Sequence, residues 1–229
     1  MNRLVITTVA AVAALSAGAA FAKPAVMVQA KDHAIITSGP GFGTLLETRN
    51  QAGLAAGYVD EMTRLHPYTA ATTHTTTFAG FEWFGESGTS TAEVSYFVSA
   101  SSQIRGINHF ALWNEESSGI GVFNLWYGAF AGDKSDLVLS RVSPTDHALA
   151  DYLSDVWHFS KRPNTGWWTI EAAGCPQPIV GSFAACAIGE VAWGGPKVPE
   201  PATWAMMLVG FGLVGAAVRG RQGIRHTIA

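Results

Sequence analysis

Charge is scarce in this sequence. Asp, Glu, Lys and Arg make up 14% of its 229 residues, where soluble domains ordinarily carry about a quarter. Lys and Arg number 14 against 17 acidic residues. That leaves no basic excess of the kind nucleic-acid binding requires. The 48% hydrophobic content excludes disorder, which needs little apolar surface and a high net charge. Cysteine is equally sparse. Only Cys175 and Cys186 occur, which excludes a disulfide-dense scaffold or a four-cysteine zinc module. Between the two ends, no segment sustains the i, i+3, i+4, i+7 stripe of an amphipathic helix for twelve residues. Catalytic signatures are missing too. There is no H-E-x-x-H and no CxxC, and Gly85-Glu86-Ser87-Gly88 does not complete G-x-S-x-G.

What is present is organised from the ends inward. Residues 1–22 open with Arg3, continue as an uncharged apolar stretch, and finish with Ala20-Phe21-Ala22 before Lys23. A short positive region, an apolar run and small residues at −3 and −1 form a secretory signal peptide. Cleavage is expected after Ala22, with Ala20 and Ala22 as the recognised small residues. The partners implied are a Sec translocon and a signal peptidase.

The C-terminal end has its own layout. Ala202 to Val218 is 17 residues without a charge. At about 1.5 Å per residue it just reaches across a bilayer core. Arg219 and Arg221 follow it, and Val198-Pro199-Glu200-Pro201 precedes it. The prolines keep that strip extended. Gly210 to Gly215 spells G-x-G-x-x-G, but only 14 residues follow and none is acidic, so a dinucleotide site is rejected. Pro199, Glu200, Pro201, Trp204, Ala205, the glycines and the terminal arginines together resemble the PEP-CTERM sorting tail. The resemblance implies a Gram-negative envelope protein processed by an exosortase, with transient anchoring in the inner membrane. Domain boundaries are therefore expected at 1–22, 23–196 and 197–229.

Lys23 to Pro196, the passenger, carries 9 basic and 16 acidic residues, net −7. Polyanion partners, nucleic acid included, are not expected. Its pattern is mostly strand. Residues 92–100 alternate, and 104–113 and 120–127 are β-branched and aromatic. Asn114–Gly119 reads as the turn of a hairpin between the latter two. Further strands are expected at 137–142, 156–159, 167–171 and 187–193, and one or two helical turns at 146–153 capped by Asp146. The Thr-rich run 69–77 suits a loop or an edge strand. Many short strands with turn signals favour a β-sandwich over a parallel α/β sheet. In an exported chain, Cys175 and Cys186 are expected to form a structural disulfide worth about 3 kcal/mol by loop entropy.

The passenger has a resemblance of its own. Residues 104–107, 110–116 and 119–125 look like the central hairpin of discoidin (coagulation factor five/eight type C) domains. Phe81-Glu82-Trp83-Phe84 is similar to that family's tryptophan strand, and residues 186–193 to its closing strand. This implies an all-β, galactose-binding-like jelly roll whose loops at one end bind glycans or lipids. Strands in 128–165 are not fixed by it.

Candidate ligand residues are few. Asp60, with backbone carbonyls, is a conceivable Ca²⁺ ligand; otherwise no cofactor is expected. Trp83, Trp167 and Trp168 are candidate sugar-stacking rings, and adjacency puts Trp167 and Trp168 on opposite faces of a strand. His74 and His109 read as satisfied structural residues. Six glutamates (Glu82, Glu86, Glu115, Glu116, Glu171, Glu190) are available for a hydrolase, but no spacing pairs them. The expectation is a non-catalytic exported protein binding carbohydrate or exopolysaccharide through the loops of a jelly roll. The alternatives are an extracellular carbohydrate-active hydrolase and a purely structural surface protein.

Overall fold

The computed structural model describes residues 24–77, 79–114, 119–145, 151–175, 185–198 and 201–223. Ala20, Ala22, Pro199, Glu200, Glu115, Glu116 and Asp146 lie outside them, as does most of the expected helical turn at 146–153. Two antiparallel sheets face each other. The first has the order β1 (Ala25–Val28), β11 (Glu190–Pro196), β5 (Ile107–Trp113), β8 (Asp155–Arg162). The second runs β2 (Ala30–Thr37), β4 (Thr91–Ser99), β9 (Thr165–Ala173), β6 (Val122–Gly128), β7 (Asp136–Val142). A two-stranded piece pairs β3 (Trp83–Phe84) with β10 (Ala187–Ile188). This is the all-β sandwich that the strand pattern predicts, of the jelly-roll class that the discoidin resemblance implies.

Alternation decides which side chains meet. In β4, Ala92, Val94, Tyr96 and Val98 point inward; in β9, Trp168, Ile170 and Ala172 do the same. They meet Phe110, Phe123, Leu125 and Trp193 in one core between the sheets. β5 and β11 are apolar on both faces, because the far face of their sheet is covered too. Ala111, Trp113 and Ala192 pack there against Met27, Leu65 and Tyr152 in a second core. The short helix α1 (Leu65–Thr69) supplies part of that cover. Trp83, Trp113, Trp168 and Trp193 are all fully buried. Each removes about 150–250 Å² from water, which at about 25 cal/mol per Å² contributes roughly 4–6 kcal/mol before entropy is counted.

The expected hairpin across Asn114–Gly119 is not formed. β5 pairs with β11 and β8, whereas β6 pairs with β9 and β7. The connection is a crossover between sheets. Asn114 holds its ends together: Oδ1 accepts from the Ile120 N–H at 2.8 Å, and Nδ2 donates to the Ile120 carbonyl at 3.2 Å. A crossover buries the same alternating faces as a hairpin, so patterning alone does not separate them. The strand expected at 187–193 is likewise divided at Gly189. A Cβ there would sit 2.4 Å from the Tyr152 hydroxyl and 3.0 Å from the Trp113 carbonyl. The chain breaks step at that point and passes from β3 to the four-stranded sheet. Residues 151–153 form no helix; Tyr152 bridges to His74 instead. The Thr-rich run is loop around that bridge, not an edge strand.

Cys175 and Cys186 are bonded and buried at the core margin. The C-terminal helix α2 runs Pro201–Gly223, and its described side chains from Trp204 to Ala216 are exposed. Among the described residues, no helix is long and apolar enough to cross a membrane.

Candidate functional site

The outer face of the five-stranded sheet is where polar and aromatic side chains collect. Residues opposite the core-facing ones in β4, β9 and β6 form three rungs. Glu93, Glu171 and Asn124 make the first, Ser95, Thr169 and Trp126 the second, and Phe97, Trp167 and Gly128 the third. The loop 129–135 folds back over the middle rung. Its Gly132 N–H donates to Ser95 Oγ at 2.9 Å, and Ser95 and Thr169 hydroxyls bond each other at 2.8 Å, fully buried beneath. The outer rungs stay open on either side. Trp167 is half-buried and lies against Phe97 with ring centroids 5.4 Å apart.

Beside the first rung is a cleft of about 420 Å³, lined by Thr37, Thr91, Glu93, Asn124, Arg141 and Glu171. Its two carboxylates sit directly opposite each other across the β4–β9 pair, a repulsive arrangement unless compensated. Lys134 compensates it, with Nζ 2.7 Å from Glu93 and 2.8 Å from Glu171. Glu171 also accepts from Asn124 Nδ2 at 2.9 Å and Trp126 Nε1 at 3.1 Å. The bonds from Lys134, then Asn124 and Trp126, hold the Glu171 carboxyl down at about 2. Burial works against the Lys134 charge, yet its bonds to Glu171 and Glu93 outweigh that and raise its pKa. Arg141 completes the rim. It occupies the left-handed region at φ 48°, beside a bulge in the β6–β7 pairing, and its N–H donates to Asn124 Oδ1 at 2.8 Å. A non-glycine residue in that conformation is strained, and such strain concentrates at functional surfaces.

The residues singled out from sequence are distributed otherwise. Trp83 is fully buried, with Nε1 donating to the Pro40 carbonyl at 3.2 Å. Trp168 is fully buried between Tyr127, Phe159 and Trp193. Neither offers a face to a sugar, because both fall on the inward side of their strands. Trp167 faces outward as the opposite-face argument requires. Asp60 is far along the chain from the rungs and already engaged: it accepts from the Gln29 N–H at 2.9 Å and pairs with Lys31. Among the described residues, no three His, Cys, Asp or Glu side chains are placed to hold a metal ion.

His74 is fully buried, its ring nitrogens 2.8 Å and 3.1 Å from the Thr75 and Ala52 carbonyls, in the satisfied role expected. Tyr152 donates to Glu82 beside it at 2.8 Å. Glu190 is fully buried as well, and burial pushes its carboxyl well above the usual range, against an opposing bond from the Gln51 N–H. Sequence reasoning missed Glu93, Asn124, Trp126, Lys134 and Arg141. The signal for the first three was the polar half of the alternation in β4 and β6.

The C-terminal segment is decided by comparison with known families. The model of the PEP-CTERM protein-sorting motif matches residues 197–222. Residues 197–222 are a PEP-CTERM sorting motif. The motif implies an exported, envelope-associated protein sorted by an exosortase. In the structure, Pro201 is the first residue of α2, Trp204, Ala205 and Arg219 are exposed on it, and Arg221 lies in its last turns. No curated protein matches the chain.

Among solved structures, the chain is similar to a selenomethionine-labelled mutant of chitosan-binding module 1 from a chitosanase/glucanase of Paenibacillus sp. IK-5. The TM-score is 0.37 at 12% identity, covering 76% of this chain and 94% of that one. A second structure of the same module gives a TM-score of 0.31 at 12% identity, with 49% and 74% covered. Likenesses this loose assign neither a shared ligand nor a shared site.

Proposed function

We propose that this exported protein binds a neutral polysaccharide on the outer face of its five-stranded sheet, without catalysis. The observation that carries the reading is the first rung with its cleft. Two carboxylates, one ammonium and the Arg141 guanidinium give many fixed hydrogen-bond partners and little net charge. Half-buried rings, Trp126 and Trp167, flank them along the same face. Fixed polar groups beside an aromatic platform suit sugar hydroxyls and the apolar faces of sugar rings.

Two features speak against hydrolysis at this place. A general acid needs a carboxyl raised toward neutrality, and Glu171 is held at about 2. Glu93 and Glu171 also share one lysine instead of facing each other across a gap that admits a glycosidic bond. Beyond the sandwich, α2 would hold the chain at the inner membrane until an exosortase cuts near Pro199–Pro201. The passenger would then stay in the envelope or the exopolysaccharide.

The test is a glycan array probed with the full chain in mild detergent. Retention on uncharged glucans, mannans or galactans is expected. Silence on every neutral glycan, with or without signal on charged ones, overturns the reading.

A further inference from the structure

The two ends of the passenger leave the fold side by side. Ala25 of β1 pairs with Pro196 of β11. Beyond β11 the chain stays attached: Lys197 bridges to Ile104, the Arg105 N–H donates to the Pro196 carbonyl at 3.0 Å, and the Val198 N–H donates to the Gln103 carbonyl at 2.7 Å. The chain leaves the sandwich only after Val198, and α2 begins at Pro201. Those three residue steps span at most about 11 Å.

Cations gather at this exit. Arg105 and Lys161 line a shallow cleft of about 440 Å³ together with Arg162 and Asn164. Gly106 brings them together: a Cβ on it would lie 2.7 Å from Lys161 Cγ and 2.4 Å from the Arg162 carbonyl. Lys197 joins from the bridge to Ile104. Elsewhere Lys31 pairs with Asp60 and Lys134 with Glu93 and Glu171, whereas Arg49, Arg64 and Arg141, among the described residues, are in no ion pair. Arg162 is neutralised by Asp136. Among the described residues, no ion pair engages Arg105, Lys161 or Lys197. Glu61, which accepts from the Ser101 N–H at 2.6 Å, and Asp136, paired with Arg162, are acidic groups near this exit, and Glu200 follows Lys197 in the sequence before α2 begins. The rest of the domain is acidic, so a domain of net −7 presents one basic end.

We propose that this end is a docking surface for an anionic membrane, made by Arg105, Lys161 and Lys197 at the root of α2. The proposal rests on the reading that α2, though not long and apolar enough to cross a bilayer, holds the chain at the membrane through exposed apolar side chains such as Leu208, Phe211 and Leu213. With α2 at the membrane, the three cations sit around a chain exit whose last attached residue, Val198, is at most about 11 Å from the first residue of α2. That is close to one Debye length at 0.1 M salt, so they feel the headgroup phosphates. An acidic domain is repelled by such a surface in every orientation except this one. The sandwich is therefore held end-on, with the sheet face of the first rung turned sideways and open to polymer.

Full-length chain is floated with phosphatidylcholine vesicles and with vesicles containing 30% phosphatidylglycerol. Each cation near such a surface contributes about 1 kcal/mol, and Glu61 and Glu200 offset two of the three. The partition ratio should favour the anionic vesicles by roughly fivefold at 50 mM salt and collapse toward unity at 500 mM. The triple variant Arg105→Gln, Lys161→Gln, Lys197→Gln should float unchanged on neutral vesicles and lose most of that ratio. A swap retaining charge (Arg105→Lys, Lys161→Arg, Lys197→Arg) should keep it, which separates charge from misfolding.

Failure to float on neutral vesicles refutes membrane attachment through α2. Flotation with a ratio that the triple variant leaves unchanged refutes the docking surface alone. Binding of wild type, but not the triple variant, to soluble alginate without lipid would reassign the patch to an anionic polymer and overturn it.

Discussion

Acidification between pH 6.5 and 4 should destabilise the sandwich through His109, by an amount the structure sets. His109 lies on β5, 8% exposed, directly across from His158 on β8. The ring of His158 is 4.8 Å away, and that of His66 on α1 is 5.0 Å away. Its Nδ1–H donates to Asn108 Oδ1 at 2.8 Å, and Asn108 Nδ2 donates to His158 at 3.3 Å. Burial, then the charges of His158 and His66, lower its pKa from 6.5 to about 4. A base whose pKa falls on folding binds protons more readily when unfolded, so stability drops as pH falls through this window. It is intact above about 6.5. At about 1.36 kcal/mol per unit, the 2.5-unit difference corresponds to a loss of about 2 kcal/mol by pH 5 and about 3 kcal/mol by pH 4. Urea unfolding at pH 7.5, 6, 5 and 4.5 measures it, with His109→Gln as the reference that lacks the titration. Parallel pH curves for wild type and His109→Gln would refute the reasoning.

Other outcomes follow from the same geometry. Glu190→Gln should stabilise the protein at pH 7, because burial raises the carboxyl well above its usual range in the folded chain alone. A carboxyl raised by burial must otherwise be ionised at a cost, so the gain should vanish near pH 4, as paired thermal melts would show. Reduction of Cys175–Cys186, or their joint replacement by alanine, should cost about 3 kcal/mol in denaturant unfolding, because a loop of 11 residue steps is released in the unfolded chain. Lys134→Ala should leave Glu93 and Glu171 opposed without a cation and cost about 1 kcal/mol. The same variant should raise the Glu171 titration from about 2, followed by carboxyl NMR.

Legibility in the sequence tracked how local the information was. The sorting motif is contiguous and needs no fold to be recognised. The strand β4 is legible in its alternation over residues 92–100, and β7, β8 and β9 are located within a few residues by their β-branched and aromatic content. Which strands pair is a different kind of information. β5 and β6 have the same pattern in a hairpin as in a crossover, so only Asn114 and the register with β11 and β9 settle it. Adjacency puts Trp167 and Trp168 on opposite faces but does not say which ring meets the core; Trp83 and Trp168 lie inside and Trp167 outside. The candidate site was the least legible part. Glu93 and Glu171 are neighbours only through the register of β4 with β9, and Lys134 reaches them only because the 129–135 loop folds back.

The central claim is that the outer sheet face binds neutral polysaccharide. Affinity electrophoresis of the full chain through gels containing the best neutral glycan from the array tests it most directly, comparing wild type with Trp126→Ala and Trp167→Ala. Loss of a stacking ring worth about 1.4 kcal/mol should weaken retardation about tenfold for each variant, with thermal stability lowered only slightly. Unchanged retardation in both folded variants would contradict the account.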